Sequence, residues 1–525
     1  MIIDAISKLQ KLTVGQRLLA CIAAGALMTL ALPPINLWPF MFIGLSLFYI
    51  LMQSFEGARL RTGFFAGWCF GFGYFGAGLW WIANALLVEG NDFSWVWPLA
   101  IVGLPALLAF FPAFACLPLP RFARLKTIPG LLLFITLLAL SEWLRGHAFT
   151  GFPWNTYGYV WSGWLSMLQS TSLGGAYALT LVTLFWACVP GFIALWPATR
   201  KQKIILGSVV IVTMALNSAY GLIRLHNNPT QPRNDVNVKV VQPDIRQNEK
   251  WDPDRAAENF TTLLELTQSQ EETAPLTIVV WPETALSFRV LDFPLARQAL
   301  RDTLSSYQRN VYLVTGFLRH ENTDDYNGDG LYYNSLAVIN RFTTIQATYD
   351  KSHLVPFGEY IPFENILAMT PFVPFTGFRE GAGPTTLQED SIPPFSPLIC
   401  YEVIFPGAVK SQSAQEPEWM VNVTNDAWYG DSPGPYQHFA QTRIRAIEEG
   451  LPTVRAANTG ISGVIDPVGR VVSKSGVFEQ SALVTPLPKA LPGRTLYYRW
   501  GDKLFFIMLA TSAILAFALK RRHPR

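Results

Sequence analysis

The chain has 525 residues, of which 50% are hydrophobic, 14% aromatic and only 15% charged, with a formal net charge of +3. Soluble domains carry roughly 25% charged residues, so the composition argues against a wholly water-solvated protein. The small net charge conceals a division, with net +8 over residues 1–224, −9 over 225–501 and +4 over the last 24. Basic residues alternate with apolar segments instead of gathering into a patch. That pattern argues against nucleic acid as a partner and makes membrane topology the better reading.

In chain order, the tracts 18–55, 62–88, 93–120, 127–141, 146–199, 204–223 and 504–519 contain no Asp, Glu, Lys or Arg. A helix crossing the hydrocarbon core needs roughly 20 residues. The first tract is long enough for two spans, with Pro33-Pro34 as the break between them. The 127–141 tract extends to Trp143 if Glu142 faces protein or the interface. "FTGFPWNTYGYVWSGW" reads as an interfacial loop ahead of one helix near Leu165–Trp196, because Trp and Tyr favour the headgroup level. The expectation is a seven-span bundle over 1–224 and an eighth span with a basic tail over 501–525. Lys8, Lys11 and Arg17, then Arg59 and Arg61, then Arg121, Arg124 and Lys126, then Arg200, Lys201 and Lys203, and finally "KRRHPR" all fall on the side of the N-terminus. Glu89 and Asp92 lie opposite, and Arg145 is the main exception. The positive-inside rule then places both termini in the cytoplasm and residues 225–500 on the outer face. Span one reads as an uncleaved signal-anchor, since no small-residue cleavage site follows a short apolar core.

Within 225–500, the runs "VNVKVVQPDI", "LTIVVWPETAL", "VYLVTGFL", "YYNSLAVIN", "SPLICYEVIF", "EWMVNVTNDAW" and "GLPTVRAANTG" are strand candidates. Asp252–Glu271 and Phe293–Gln308 have helical spacing, and "GISGVIDPVGRVVSK" reads as a hairpin. The alternation implies one layered α/β domain.

Four of the five cysteines lie in apolar tracts, and Cys400 alone belongs to 225–500. It forms no disulfide within that domain, so it is either an inert buried thiol or a reactive one. Glu283 in "VVWPETA", Lys351 in "TYDKSHLVPFGEY" and Cys400 in "LICYE" each end a strand-like run. Singly they are a turn carboxylate, a surface lysine and a small hydrophobe. Together they supply a base, a cation and a nucleophile: a desolvated carboxylate takes the thiol proton, and an ammonium favours the thiolate and the oxyanion that follows. The domain's histidines, His226, His320, His353 and His438, lie outside any Cys–His motif, which suits a base other than histidine. Other patterns are weaker. Gly71-Phe72-Gly73-Tyr74-Phe75-Gly76 lies in an uncharged tract without a preceding strand, and Gly63, Gly67 and Gly71 read as a close-packed helix face. Asp325–Gly330 opens like a calcium loop but reaches Leu336 where a glutamate is needed, so it reads as a turn. H-E-x-x-H and C-x-x-C are absent from the sequence, and no metal or cofactor is expected.

"WPET", "DKSHLVPFGEYIP" and "ICYEVIFP" resemble the signature blocks of the nitrilase superfamily. Together with "KWDPD", "YNS", "NDAWYG" and "GPYQH", and with the spans, the chain is similar to the superfamily's membrane-integrated branch, the apolipoprotein N-acyltransferases of Gram-negative bacteria. The resemblance implies an αββα sandwich carrying a Glu–Lys–Cys triad. Carried over by position, Glu283 is the general base, Lys351 the oxyanion stabiliser and Cys400 the nucleophile. Glu359, Tyr401 and Glu402 match supporting residues, and Trp251 matches one in substrate handling; for Trp251 and Tyr401, core packing stays open as the other reading. The implied reaction moves the sn-1 chain of phosphatidylethanolamine, through a Cys400 thioester, to the α-amino group of an S-diacylglyceryl apolipoprotein cysteine. The implied location is the inner membrane, with the catalytic domain periplasmic. A dry or lidded site is expected, with Met369–Phe378 as the candidate lid. Two other readings stand beside this one. A membrane-tethered nitrilase-type amidase or hydrolase would use water as acceptor, and a transporter or lipoprotein-binding module would carry an inactive domain.

Overall fold

The uncharged tracts become helices, and the β-rich runs become two sheets. The computed structural model describes residues 12–88, 94–268, 273–286, 290–321, 331–360, 377–411 and 415–522. Two units result: a helical one from Ala83 back to the N-terminal side, Val96–Asn227 and Thr495 onward, and an α/β one from Asn84–Trp95 and Asn228–Arg494.

The helical unit comprises α1 (Val14–Met28), α2 (Pro39–Gln53), α3 (Leu60–Leu79), α4 (Trp97–Leu108), α5 (Phe110–Cys116), α6 (Ile128–His147), α7 (Thr171–Leu195) and α8 (Arg200–Asn227), with Lys503–Arg522 as its last helix. Among the described residues, six helical stretches are long and apolar enough to cross a membrane: Val14–Ala31, Ser94–Phe122, Ile128–His147, Thr171–Leu195, Arg200–Asn227 and Lys503–Lys520. α8 exposes Ile204, Ile205, Ile211, Val212, Leu216, Leu222 and Ile223, an apolar surface suited to acyl chains and not to water. The protein is membrane-integrated. The other two expected spans are α2, which reaches only about 22 Å at 1.5 Å per residue, and the glycine-rich α3. A Cβ on Gly67 would lie 2.8 Å from Cys116 Cβ and 2.9 Å from Ala113 Cα, so α3 and α5 pack backbone to backbone.

Two details differ from expectation. The aromatic stretch after α6 is buried within the helical unit: Trp154, Tyr157 and Trp161 have almost no exposure. Their neighbourhood is held by internal partners, with Trp161 Nε1 donating to Thr183 Oγ1 (2.9 Å) and Tyr74 Oη to the Asn155 carbonyl (2.7 Å). Aromatic groups with a satisfied polar tip pack as core. The following helix begins at Thr171, because Leu165–Leu168 forms a separate short turn of helix.

Arg145, the exception to the charge bias, is buried and neutralised in place. Its Nε and Nη2 donate to the Glu142 carboxylate at 3.2 and 2.8 Å, and its Nη1 donates to the carbonyls of Trp154 (2.8 Å) and Phe152. Removing one member of such a pair strands the other in a low-dielectric interior. Arg145→Met is therefore expected to lower stability by about 3–5 kcal/mol, and Glu142→Leu combined with Arg145→Met to recover most of it. Thermal unfolding in detergent measures both; a single variant as stable as the parent would show the pair to be expendable.

The α/β unit holds two six-stranded sheets. The first runs β12 (Ser481–Pro488), β1 (Pro232–Gln242), β2 (Leu276–Val280), β3 (Asn310–Glu321), β4 (Leu331–Asn340) and β5 (Ile345–Asp350). The second runs β11 (Val471–Lys474), β10 (Gly463–Ile465), β9 (Thr453–Ala457), β8 (Trp419–Thr424), β7 (Ile392–Ile399) and β6 (Leu387–Glu389). β1, β2 and β3 are parallel, as are β7, β8 and β9, and antiparallel strands close the edges. Strand alternation sorts the side chains. Val238, Val240, Ile278 and Val280 meet Ile399, Val421, Val423 and Val454 between the sheets. Val241, Val279, Trp281 and Leu313 turn outward onto Phe260 and Leu263 of α10 (Ala256–Thr267) and Leu300 and Leu304 of α11 (Pro294–Ser305). A preceding short helix, α9, spans Gln247–Lys250, and α12 (Gly434–Glu449) packs on β9 of the second sheet. The result is the expected αββα sandwich.

Candidate active site

The parallel strands carry the site at their C-terminal ends, where open α/β sheets present ligand-binding loops. Glu283 follows β2 and Cys400 follows β7 immediately; Lys351 ends the β5 run, and Asn334 sits in β4. Glu283 reaches its place because the loop after β2 lies flat on β3. Gly316 donates to the Pro282 carbonyl at 3.1 Å, and a Cβ there would stand 2.6 Å from Glu283 Cα. Thr284 and Cys400 both adopt left-handed backbone, at φ 45° and 51°. Such strain costs about 1–3 kcal/mol per residue and gathers at functional sites.

The side chains form one buried polar cluster. Lys351 Nζ donates to Glu359 Oε1 at 2.9 Å and stands 3.6 Å from Glu283 Oε1. Asn334 Nδ2 bridges the two glutamates, at 2.7 Å to Glu283 Oε1 and 2.8 Å to Glu359 Oε1. Glu359 Oε2 accepts from the Val355 amide at 2.8 Å. Burial acts to lower the Lys351 pKa, but Glu359, Glu283 and Cys400 outweigh it and hold the ammonium charged. Burial pushes the Cys400 thiol up to about 12, with Glu283 adding to the rise and Lys351 opposing it. The resting sulfur is therefore a thiol, and it needs a proton acceptor before it can attack.

Glu402 fixes the turn that carries Cys400. Its Oε2 accepts from the Ile399 amide at 2.7 Å. Its Oε1 accepts from Tyr349 Oη (2.6 Å), the Ser352 amide (2.7 Å), Ser352 Oγ (2.9 Å) and the His353 amide (3.2 Å). One carboxylate thus ties the end of β7 to the end of β5. Tyr401 is buried with its ring against Phe405 and His353, at centroid distances of 5.0 and 5.6 Å. Beneath the turn, Asp426 accepts from Arg455 Nη2 (2.7 Å), His438 Nδ1 (2.9 Å) and Thr424 Oγ1 (3.1 Å). Asn422, bonded to Arg455, donates to the Cys400 carbonyl at 3.4 Å. Burial acts to raise the Asp426 carboxyl, but Arg455 and His438 prevail and keep it ionised. Burial, aided by Arg455, keeps His438 neutral.

The chain matches the family model described as apolipoprotein N-acyltransferase N-terminal domain over residues 24–189, and that described as carbon-nitrogen hydrolase over 237–491. It is 37% identical to an apolipoprotein N-acyltransferase of Rhodopseudomonas palustris, over 96% of each chain. It is 40% identical to one of Allorhizobium ampelinum, over 87% of each chain. This chain belongs to the apolipoprotein N-acyltransferase family. It is an acyltransferase. Among solved structures, an amidase of the nitrilase superfamily from Nesterenkonia AN1 is similar at 21% identity, covering 49% of this chain and 92% of that one, with a TM-score of 0.36.

In this member of the apolipoprotein N-acyltransferase family, the structure brings together six of the seven residues singled out in the sequence: Glu283, Lys351, Glu359, Cys400, Tyr401 and Glu402. Trp251 lies half-buried just past α9, in the residue after Lys250, whose Nζ donates to the Glu283 carbonyl at 2.8 Å. Residues 369–376 of the candidate lid, and the calcium-like turn at 325–330, lie outside the described residues. Asn334, Lys250, Asp426, His438 and Arg455 were not assigned roles by sequence reasoning. A signal existed for Arg455, a guanidinium in the apolar run "PTVRAA", since a charge in a buried strand needs a partner.

Removing the Glu402 carboxylate would leave the Ile399, Ser352 and His353 amides without their acceptor. Each buried unsatisfied donor costs about 1–3 kcal/mol. Glu402→Ala is expected to be destabilised by about 3 kcal/mol or more, and Glu402→Gln by less because one amide oxygen still accepts. Thermal unfolding of the purified variants checks the order; equal midpoints for parent and Glu402→Ala would refute the tying role.

Proposed function

We propose that Glu283, Lys351 and Cys400 catalyse a two-step transfer of a phospholipid acyl chain to the α-amino group of an S-diacylglyceryl cysteine. The observation that carries the reading is the buried Cys400 thiol in one cluster with the Glu283 carboxylate and, 3.6 Å from that carboxylate, the Lys351 ammonium, in a chain of this family. In the first step the Cys400 proton passes to Glu283 while sulfur attacks the ester carbonyl. Lys351 and the surrounding donors stabilise the oxyanion. The C–O bond then breaks, the lysophospholipid oxygen takes the proton from Glu283, and a thioester remains. In the second step the amine attacks the thioester carbonyl, Glu283 accepts the proton from nitrogen, and Cys400 leaves and is reprotonated. Glu359 and Asn334 orient Lys351 and Glu283. Glu402 and Tyr401 hold the Cys400 turn, and Trp251 contacts substrate. The acyl donor is the sn-1 chain of phosphatidylethanolamine.

The same reading assigns eight spans, with α2 and α3 completing the six longer stretches. Residues 1–224 form the seven-span bundle, 225–500 the periplasmic catalytic domain, and 501–525 the eighth span and cytoplasmic tail. Burial of the Arg145–Glu142 pair supports this topology, since it neutralises the main charge that opposed it. Both substrates are lipid-anchored at the outer leaflet of the inner membrane. Drawing an acyl chain into water would cost about 0.8 kcal/mol per CH₂.

Purified protein is to be given phosphatidylethanolamine and a synthetic diacylglyceryl-cysteine peptide. The expected products are N-acyl peptide and lysophospholipid. Glu283→Gln and Lys351→Ala are each expected to slow transfer by about a hundredfold to ten-thousandfold, and Cys400→Ser to abolish thioester formation. Free fatty acid as the sole product with acceptor present would assign a hydrolase instead, and undiminished transfer by Cys400→Ser would overturn the mechanism.

A further inference from the structure

Lys250 is a second ammonium buried in the same cluster, 4% exposed, yet it belongs to none of the three blocks that carry the triad. It enters from α9, on the far side of the sheet order from Lys351, and its Nζ donates to the backbone carbonyl of Glu283 at 2.8 Å. The titratable groups that act on it are Glu283 and Cys400, with Glu249 and Asp252 beside it in the chain. A lysine is seldom buried unless something requires its charge or its stem. A methionine would fill the space of the stem without the desolvation penalty.

The charges show what the ammonium does. Glu283 and Glu359 contribute two negative charges, and Lys351 contributes one positive. With those three alone, the cluster carries −1 before the thiol ionises. Moving the thiol proton to Glu283 leaves the total unchanged, so the thiolate, and then the oxyanion, would form in a net negative site. Lys250 brings the sum of these four groups to zero at every stage; the Glu402 carboxylate behind the turn, taken up by five donors, adds a further negative charge that makes a second cation more necessary. The neighbouring Asp426 and Arg455 cancel each other, with His438 neutral, and so do not alter this count.

We propose that Lys250 is a positioning residue of the acyl-transfer centre, whose ammonium anchors the Glu283 loop and supplies the charge that lets Cys400 ionise. The proposal rests on the reading of Cys400 as the nucleophile. Burial lowers the Lys250 pKa to about 8, with Glu283 and Cys400 opposing the drop. The charge is therefore present below about pH 8 and lost as pH rises through that value. Cys400 and Lys351 titrate higher, so neither produces a falling limb there.

Two readouts test this in the full-length protein. The first is alkylation of Cys400 by iodoacetamide at neutral pH, followed at the peptide level, in the parent, Lys250→Met and Lys250→Gln. Both variants are expected to react at least about tenfold more slowly, the equivalent of one pKa unit. Gross unfolding would expose Cys400 and speed the reaction, so the sign separates lost charge from lost fold. Glutamine keeps a donor for the Glu283 carbonyl, so parental reactivity in Lys250→Gln would reject the charge role. The second readout is acylation of Cys400 by phosphatidylethanolamine across pH 7–9. The parent rate is expected to fall as pH passes about 8, and the variants to be slow and flat across the range. A falling limb that persists in Lys250→Met would overturn the proposal. A parent that alkylates normally but never acylates would instead overturn the nucleophile reading, leaving the alkylation comparison to judge Lys250.

Discussion

Everything at this site depends on the Lys351 ammonium held between two carboxylates. It stands 2.9 Å from Glu359 and 3.6 Å from Glu283, with almost no exposure to water. An isolated ammonium in that position would be neutral, because desolvation in a protein interior outweighs anything a single hydrogen bond returns. The glutamates reverse the outcome, and Asn334 fixes them at a spacing that a direct carboxylate pair would resist. The ammonium then opposes the rise in the Cys400 pKa that burial and Glu283 produce. Burial, charge and proton acceptor are thus arranged against one another so that the sulfur rests as a thiol and ionises only in concert with proton transfer.

The sandwich exists, in this light, to bring three strand ends to one place. β2 and β5 belong to one sheet and β7 to the other, so Glu283, Lys351 and Cys400 meet only when both sheets pack face to face. Glu402 makes that dependence explicit. Its carboxylate takes donors from β7 on one oxygen and from the β5 end on the other. The strained turn at Cys400 is held from below by Asn422 and by the Asp426–Arg455 pair. A small error in sheet packing would therefore separate Cys400 from Glu283 and Lys351.

Much of this was legible in the sequence, for reasons that differ by element. The parallel strands β1, β2 and β8 are largely buried and read as Val-rich runs, and polar residues standing at the ends of strand-like runs marked the site. β6 and β12 escaped notice as edge strands, and β5, the other edge, was legible only at its end, where Lys351 closes the run. "IQATYD" is polar, β6 has three residues, and "SALVTPLP" is largely half-exposed and interrupted by two prolines, so none shows a continuous apolar run. α12 escaped for the opposite reason: Gln437, His438, Gln441, Arg445, Glu448 and Glu449 are all buried, so no polar face was left to show a helical period. The burial of the aromatic segment after α6 was not legible, because Trp and Tyr mark interfaces and cores alike and only tertiary partners show the packing. Asn334 and Lys250 sit in short blocks whose neighbours carried the stronger signal, and their roles come from contacts 25 to 51 residues distant in the chain.

The most direct test is mass spectrometry of the Cys400 peptide after the purified protein has met phosphatidylethanolamine without acceptor. The account predicts a fatty acyl thioester on Cys400 that disappears when a diacylglyceryl-cysteine peptide is added, with the chain recovered on the peptide's nitrogen. Transfer that proceeds with Cys400 never acylated, or with the chain on another residue, would contradict it.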